Sequence, residues 1–153
     1  MEARLDFART APSGIRSLQE LEKYLHGTTG LEPRLLELVR LRASLLNGCA
    51  FCIDMHSKDA RALGEREQRL YALTAWQETP FFNARERAAL AWTDALTKIR
   101  EEVSDTLFTM ARETFSEKEL VDLSLAIVAI NSWNRLAIAF RKPAGSYRPD
   151  LAR

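Results

Sequence analysis

Apolar residues recur along this chain at steps of three and four, with Gly, Pro, Ser and Asn between the runs, as amphipathic helices and their ends require. Ile15, Leu18, Leu21 and Leu25 form one stripe of a helix expected over about Gly14 to His26 and ended by the GTTG turn. Pro33 suits the first turn of a second helix, which runs to about Asn47 and stops at Gly48. A third helix is expected from around Cys49 to just before Gly64, and a fourth from about Glu65 to Gln77. Asn83 with Glu86 is a capping-box pair that opens a fifth helix, with Ala88, Trp92, Ala95 and Ile99 turned inward. Ser104 caps a short sixth. Ser116 with Glu119 opens a seventh, LVDLSLAIVAINSWNRLAIAF, apolar on nearly every side and therefore covered by the core or by another subunit. With no strand alternation and no fixed-period repeat, the expected fold class is all-α, about seven helices in a single domain over residues 1–153. Residues 1–13 and 142–153 read as an irregular arm and tail that embrace a neighbouring subunit or fray.

Composition narrows the function classes. An apolar share of 46% and a charged share of 28% are those of an ordinary globular domain. Twenty-two Lys and Arg against 21 Asp and Glu give no broad electrostatic reason to bind nucleic acid or anionic lipid. The stretch MEARLDFARTAPSG lacks the apolar run of a secretory signal, and no apolar stretch reaches the roughly 18 residues of a membrane span. The expectation is a cytoplasmic protein without nucleic-acid or membrane partners. Structural disulfides are rare in that compartment, so two neighbouring cysteines point to redox or metal chemistry.

Both cysteines lie in the third expected helix, NGCAFCIDMHSKDA. Cys49, Cys52, Ile53, His56, Ala60 and Leu63 follow steps of three and four and share one face, while Asp54, Lys58, Asp59 and Arg61 lie on the other. Free cysteine packs as a small hydrophobe, so this face is open to a purely structural reading. A CxxC at a helix N-terminus, however, sits in the partial positive field of unpaired N–H groups, which favours the nucleophilic thiolate. His56, one turn beyond Cys52, can take and return a proton near neutral pH. Cys49, Cys52 and His56 would also make three ligands of a zinc site, for which the sequence offers no fourth; His26 more naturally ends the first helix.

The run ELVRLRASLLNGCAFCIDMH, with Glu37, Cys49, Cys52 and His56 spaced by eleven, two and three residues, resembles the signature of the AhpD-type alkylhydroperoxidases of the carboxymuconolactone decarboxylase superfamily. The resemblance extends to KDARALG, AWQETPFF, RERAALAWTDAL and AINSWNRLAIAFR, from about Leu31 to Pro149. It implies an AhpD-like helical bundle, assembly as a homotrimer or homohexamer, and reduction of organic hydroperoxides by the cysteine pair, with a dithiol or protein-thiol reductant and neither cofactor nor metal. By position Cys52 corresponds to the peroxidatic residue, Cys49 to the partner that closes the disulfide, and Glu37 and His56 to the proton relay. One departure is Phe51, where the better-known members carry histidine between the cysteines; an aromatic moves no proton, which favours slower transfer and a more apolar hydroperoxide. The decarboxylase branch lacks the cysteine pair.

Other residues carry competing readings. Glu37, Arg40, Ser44 and Asn47 form a polar stripe that could be simply solvated, and about 16 Å of helix separates Glu37 from Gly48, so the next helix must fold back for Glu37 to act. It would then lie nearer His56 than the cysteines. Trp76, Phe81, Phe82, Trp92 and Trp133 read as core or interface, and Asn131, Asn134 and Arg135 as structural groups buried only with partners. No phosphate loop, dinucleotide fingerprint or esterase elbow is present. A non-catalytic oligomer using CxxC as redox sensor or metal clip is the alternative to an enzyme.

Overall fold

The computed structural model describes residues 2–99 and 102–149; the ends of the expected arm and tail, residue 1 and residues 150–153, lie outside them. Among the described residues there are eight α-helices and no strand: α1 (Phe7–Thr10), α2 (Pro12–Gly27), α3 (Pro33–Asn47), α4 (Ala50–Ala62), α5 (Glu67–Ala72), followed by a 3-10 segment (Leu73–Glu78), α6 (Ala84–Thr97), α7 (Asp105–Thr114) and α8 (Glu117–Ala139). Among the described residues no helix is long and apolar enough to cross a membrane.

The helix ends follow the side chains that the sequence supplies. Asn83 and Ser116 each accept from the backbone of the residue three ahead, and Glu86 and Glu119 bond back, so both capping boxes form. Ser104 caps α7. The expected irregular arm instead contains α1, because Asp6 accepts from the N–H groups of Ala8 and Arg9 and buried Phe7 packs on Phe140 with ring centroids 5.8 Å apart. The expected fourth helix breaks: Ala75 leaves helical geometry at φ −123°, ψ 39°. There Arg42 of α3 takes the carbonyls of Leu73 and Thr74 at 3.2 and 3.0 Å, a tertiary demand that local propensity does not show.

α3 is the central element, packed on α4, α6 and α8. Leu36 and Val39 join Leu25 of α2, Trp92 of α6, Phe115, and Leu123 and Ile127 of α8 in one core; Leu38 and Leu41 join Ala60, Leu73, Trp76, Phe82 and Leu90 in another. Ile99, expected inward, is 68% exposed, since α6 ends at Thr97. α8 buries Leu123, Ala126, Ile127 and Ile130, yet Val121, Val128 and Ile138 remain more than 40% exposed. The tail is ordered as far as it is described: Lys58 donates to the Tyr147 carbonyl at 3.2 Å, Gly145 N–H to Asp54 at 3.0 Å and the Tyr147 hydroxyl to Asp59 at 2.7 Å, laying this segment over the outer face of α4.

Candidate functional site

The turn between α3 and α4 creates the thiol geometry. Gly48 adopts φ 70°, the left-handed region where an L side chain is strained. Its N–H bonds the Leu45 carbonyl at 3.3 Å, and Cys49 N–H bonds the Ser44 carbonyl at 3.1 Å, a Schellman end. Cys49 thus closes α3 and also caps α4, its Sγ accepting from Cys52 N–H at 3.4 Å. Both thiols are free and 1% exposed, in a cluster with Ala43, Ile130 and Ala137 against which Phe51 and Trp133 pack.

The pair holds its protons unequally. A hydrogen bond from the Cys52 thiol, opposed by burial and helped by the backbone N–H groups of Cys52 and Phe51 and the Asn134 side chain, lowers Cys49 to about 7. Cys52 is pushed well above the usual thiol range, first by its hydrogen bond to Cys49, then by burial and the Cys49 charge; Asn134 and Lys142 oppose the rise. Of the two thiols, Cys49, the cap, is the more acidic. Asn134, expected to be structural, is fully buried, accepts from Asn47 at 2.8 Å and donates to Ser44 at 3.1 Å, so its amide is fixed beside the sulfurs. Lys142 lies 4.1 Å from the centroid of the Phe51 ring, so the aromatic between the cysteines carries a cation on its face.

α4 does fold back along α3. His56 Nδ1 and Glu37 Oε2 are 2.8 Å apart, both residues buried. The solvated alternative for the polar stripe does not hold: Glu37, Arg40 and Ser44 are each at most 4% exposed, because α4 and α8 cover them. Arg40 donates to Glu37 at 2.6 Å and to Glu22 of α2 at 2.8 Å, and Trp133 of α8 donates its indole N–H to the other Glu22 oxygen at 3.0 Å. Burial pushes the Glu37 carboxyl up, but the hydrogen bond and charge of His56 and the charge and hydrogen bond of Arg40 outweigh it and bring Glu37 down to about 2. Glu37 is thus a fixed carboxylate at neutral pH. His56 Nε2 has no protein hydrogen-bond partner among the described residues.

Of the residues expected on the inward face of α4, Leu63 is 40% exposed at the end of the helix, while Cys49, Cys52, His56 and Ala60 are buried. Two groupings suit different chemistry. Ligand atoms of Glu37, His56 and Asp59 lie within 4.8 Å of one another, but the Arg40 guanidinium already supplies a cation to Glu37. A cavity of about 440 Å³ opens on this side, of mixed character, with Leu25, Leu31 and Leu36 beside Glu37, Arg40 and Asp59 in its wall. Glu22 is the member of the site missed in the sequence; its one signal is an acid between Leu21 and Leu25 on a core-facing helix. Trp133 was expected only as core or interface.

The family model for the carboxymuconolactone decarboxylase family matches residues 13–95. The chain belongs to that family. Within the carboxymuconolactone decarboxylase family it is of the AhpD type: it matches the Agrobacterium tumefaciens protein ATU0492, a protein of unknown function suggested to be an antioxidant defence protein AhpD, with TM-score 0.90 and 41% identity over 95% of this chain and 100% of that one. YdfG, an uncharacterized protein of Bacillus subtilis (strain 168), is 43% identical over 95% of this chain and 99% of its own. A peroxidase-related protein of Ralstonia eutropha JMP134 described as an alkylhydroperoxidase AhpD core shares the fold at TM-score 0.81 and 19% identity, over 91% of this chain and 74% of that one.

Proposed function

We propose that this protein reduces organic hydroperoxides with the Cys49 and Cys52 dithiol, in a reducing compartment such as the cytoplasm, and is returned to the dithiol form by a small or protein dithiol. The observation that carries the reading is the buried CxxC pair, Cys49 Sγ accepting from Cys52 N–H at 3.4 Å, with His56 of the same helix held at Nδ1 by Glu37 of α3 at 2.8 Å. A purely structural pair gains nothing from holding a thiolate out of water.

The cycle balances as follows. The resting pair is Cys49 thiolate and Cys52 thiol. Passing the Cys52 proton across the sulfur–sulfur hydrogen bond to Cys49 places the thiolate on Cys52, the sulfur one turn from His56. Cys52 attacks the terminal peroxide oxygen, the O–O bond breaks, and Cys52 becomes a sulfenic acid while the alkoxide takes a proton from His56 and leaves as the alcohol. Cys49, giving its proton to His56, attacks the sulfenic sulfur; the disulfide forms and hydroxide leaves as water. One proton enters from solvent, and two electrons pass from the sulfurs to the peroxide. Glu37, ionised throughout, fixes the ring of His56 through Nδ1 and offsets its positive charge. The Phe51 and Trp133 cover of the thiols favours an apolar hydroperoxide.

The exposure of Val121, Val128 and Ile138 of α8 supports assembly with further copies of the chain, as a trimer or hexamer. The deciding experiment is free-thiol counting on metal-free protein before and after one equivalent of cumene hydroperoxide. Loss of two thiols per chain, with both regained on adding a dithiol, is expected; retention of both thiols, or zinc bound on purification, overturns the reading in favour of a metal clip.

A further inference from the structure

We infer that Glu22, on the helix that precedes the signature, is a positioning residue of the thiol site, an inference that rests on the peroxidase reading. Each of its carboxylate oxygens is taken by a donor from a different helix: Oε2 by Arg40 of α3 at 2.8 Å and Oε1 by the indole of Trp133 of α8 at 3.0 Å. Arg40, with its side chain 3% exposed, therefore stands between two carboxylates, Glu22 and Glu37. Its charge is shared. A guanidinium is rigid, and each N–H it gives to one carboxylate is withheld from the other.

With Glu22 in place, Arg40 gives Glu37 one N–H at Oε1, and Oε2 is left for His56 Nδ1 at 2.8 Å. Without the Glu22 charge, Arg40 is free to turn both arms onto Glu37, the geometry that guanidinium and carboxylate prefer, and this competes directly with the His56 hydrogen bond. The same carboxylate holds Trp133, whose ring packs on the cluster containing both sulfurs. One side chain thus sets the orientation of the proton carrier and the cover of the thiols. The groups facing this node are Glu37 and Arg40 of α3, His56 and Asp59 of α4, His26 of α2, whose Nε2 lies 3.9 Å from Glu22, and Trp133 of α8. Outer partners of this kind, which act by orienting a histidine, matter to chemistry by roughly tenfold or more in known sites.

The test compares Glu22→Gln, which keeps the shape and removes the charge, with Glu22→Asp, which keeps the charge and withdraws it by one methylene. The readout independent of turnover is the proton NMR resonance of the His56 Nδ1–H in its hydrogen bond to Glu37, together with that of the Trp133 indole N–H. In Glu22→Gln both resonances should move while the thiol count stays at two, and peroxide turnover should fall roughly tenfold; Glu22→Asp should lie between Gln and wild type. If Glu22→Gln does not fold, the Asp variant decides by the same resonances. An unmoved His56 resonance overturns the inference, whatever happens to the melting temperature. Moved resonances in a protein that consumes no peroxide, wild type included, would instead sustain the positioning role and remove the peroxidase reading.

Discussion

Cys49 and Cys52 share a helix turn and a buried cluster but not their acidity. Cys49 owes its acidity, brought to about 7, first to the thiol of Cys52, so the two must be tested together. The rate of iodoacetamide alkylation should rise as pH passes through about 7 in the wild type; in Cys52→Ala the midpoint should move up, because the principal donor to the Cys49 thiolate is gone. In peroxide assays Cys52→Ser should abolish the first turnover, whereas Cys49→Ser should form one sulfenic acid and stall. The opposite pattern would assign the attack to Cys49, the more acidic thiol. Glu37 differs, since its carboxyl sits at about 2 and carries no proton from pH 6 to 9. Glu37→Gln should slow turnover by on the order of 10² through His56, His56→Ala by at least as much, and the double variant scarcely more. Its depressed folded value also makes a stability statement. The contribution is complete above the ordinary carboxyl value of 4.5 and is lost as pH falls from there toward about 2, so acid titration of unfolding by circular dichroism should show a drop in that window that Glu37→Gln lacks. The signature residues were legible in the sequence because they lie within twenty positions on two consecutive helices. The link between Glu22 and Trp133 was not: they are 111 positions apart, and nothing local marks an acid between Leu21 and Leu25 as the holder of a buried guanidinium.

At the scale of elements, the caps explain why so much of the helix layout could be read in advance. Asn83 with Glu86 and Ser116 with Glu119 are local codes satisfied within one turn, so no tertiary contact is needed to place α6 and α8. The helices that escaped such reading depend on distant partners: α1 on the Phe7 and Phe140 contact, and the break at Ala75 on Arg42, which Asp94 of α6 grips at 2.6 and 2.8 Å. Gly48 deserves a test at this scale because it joins two helices with no residue to spare. An alanine there would hold φ 70° at a cost of about 1 kcal/mol, although no neighbouring atom would meet its Cβ within 4 Å. Gly48→Ala should therefore lower the melting temperature by roughly 2–4 °C in a chain of this length. It should also raise the pH of thiol alkylation, since any relaxation of the turn withdraws Cys49 from the N–H groups it caps.

The whole molecule buries its signature against α3 but leaves α8 half covered. Val121, Val128 and Ile138 stay 59%, 54% and 45% exposed on a helix that otherwise buries Leu123, Ala126, Ile127 and Ile130 in the core, and large apolar side chains left out of the core on such a helix suit contact with another copy. Light scattering at micromolar concentration should give a trimeric or hexameric mass, and Val128→Glu should lower it by placing a charge in that contact; a monomeric mass for the wild type would contradict the assembly. The sequence pointed to an all-round apolar helix without saying what covers it, because hydrophobic period records which faces avoid water and not which neighbour they meet.

Trp133 gives the fold an optical consequence. Its ring rests on the cluster that contains both sulfurs while its N–H is tied to Glu22, whereas Trp76 and Trp92 belong to the two other cores. A disulfide is an efficient quencher of a neighbouring indole's excited state, and a thiol pair is a weaker one. Emission excited at about 295 nm should therefore dim when the pair oxidises and recover when a dithiol is added. Trp133→Phe should leave the remaining emission indifferent to redox state. The molecule carries its own gauge of how many of its sites stand oxidised, readable in a stopped-flow cell without any added dye.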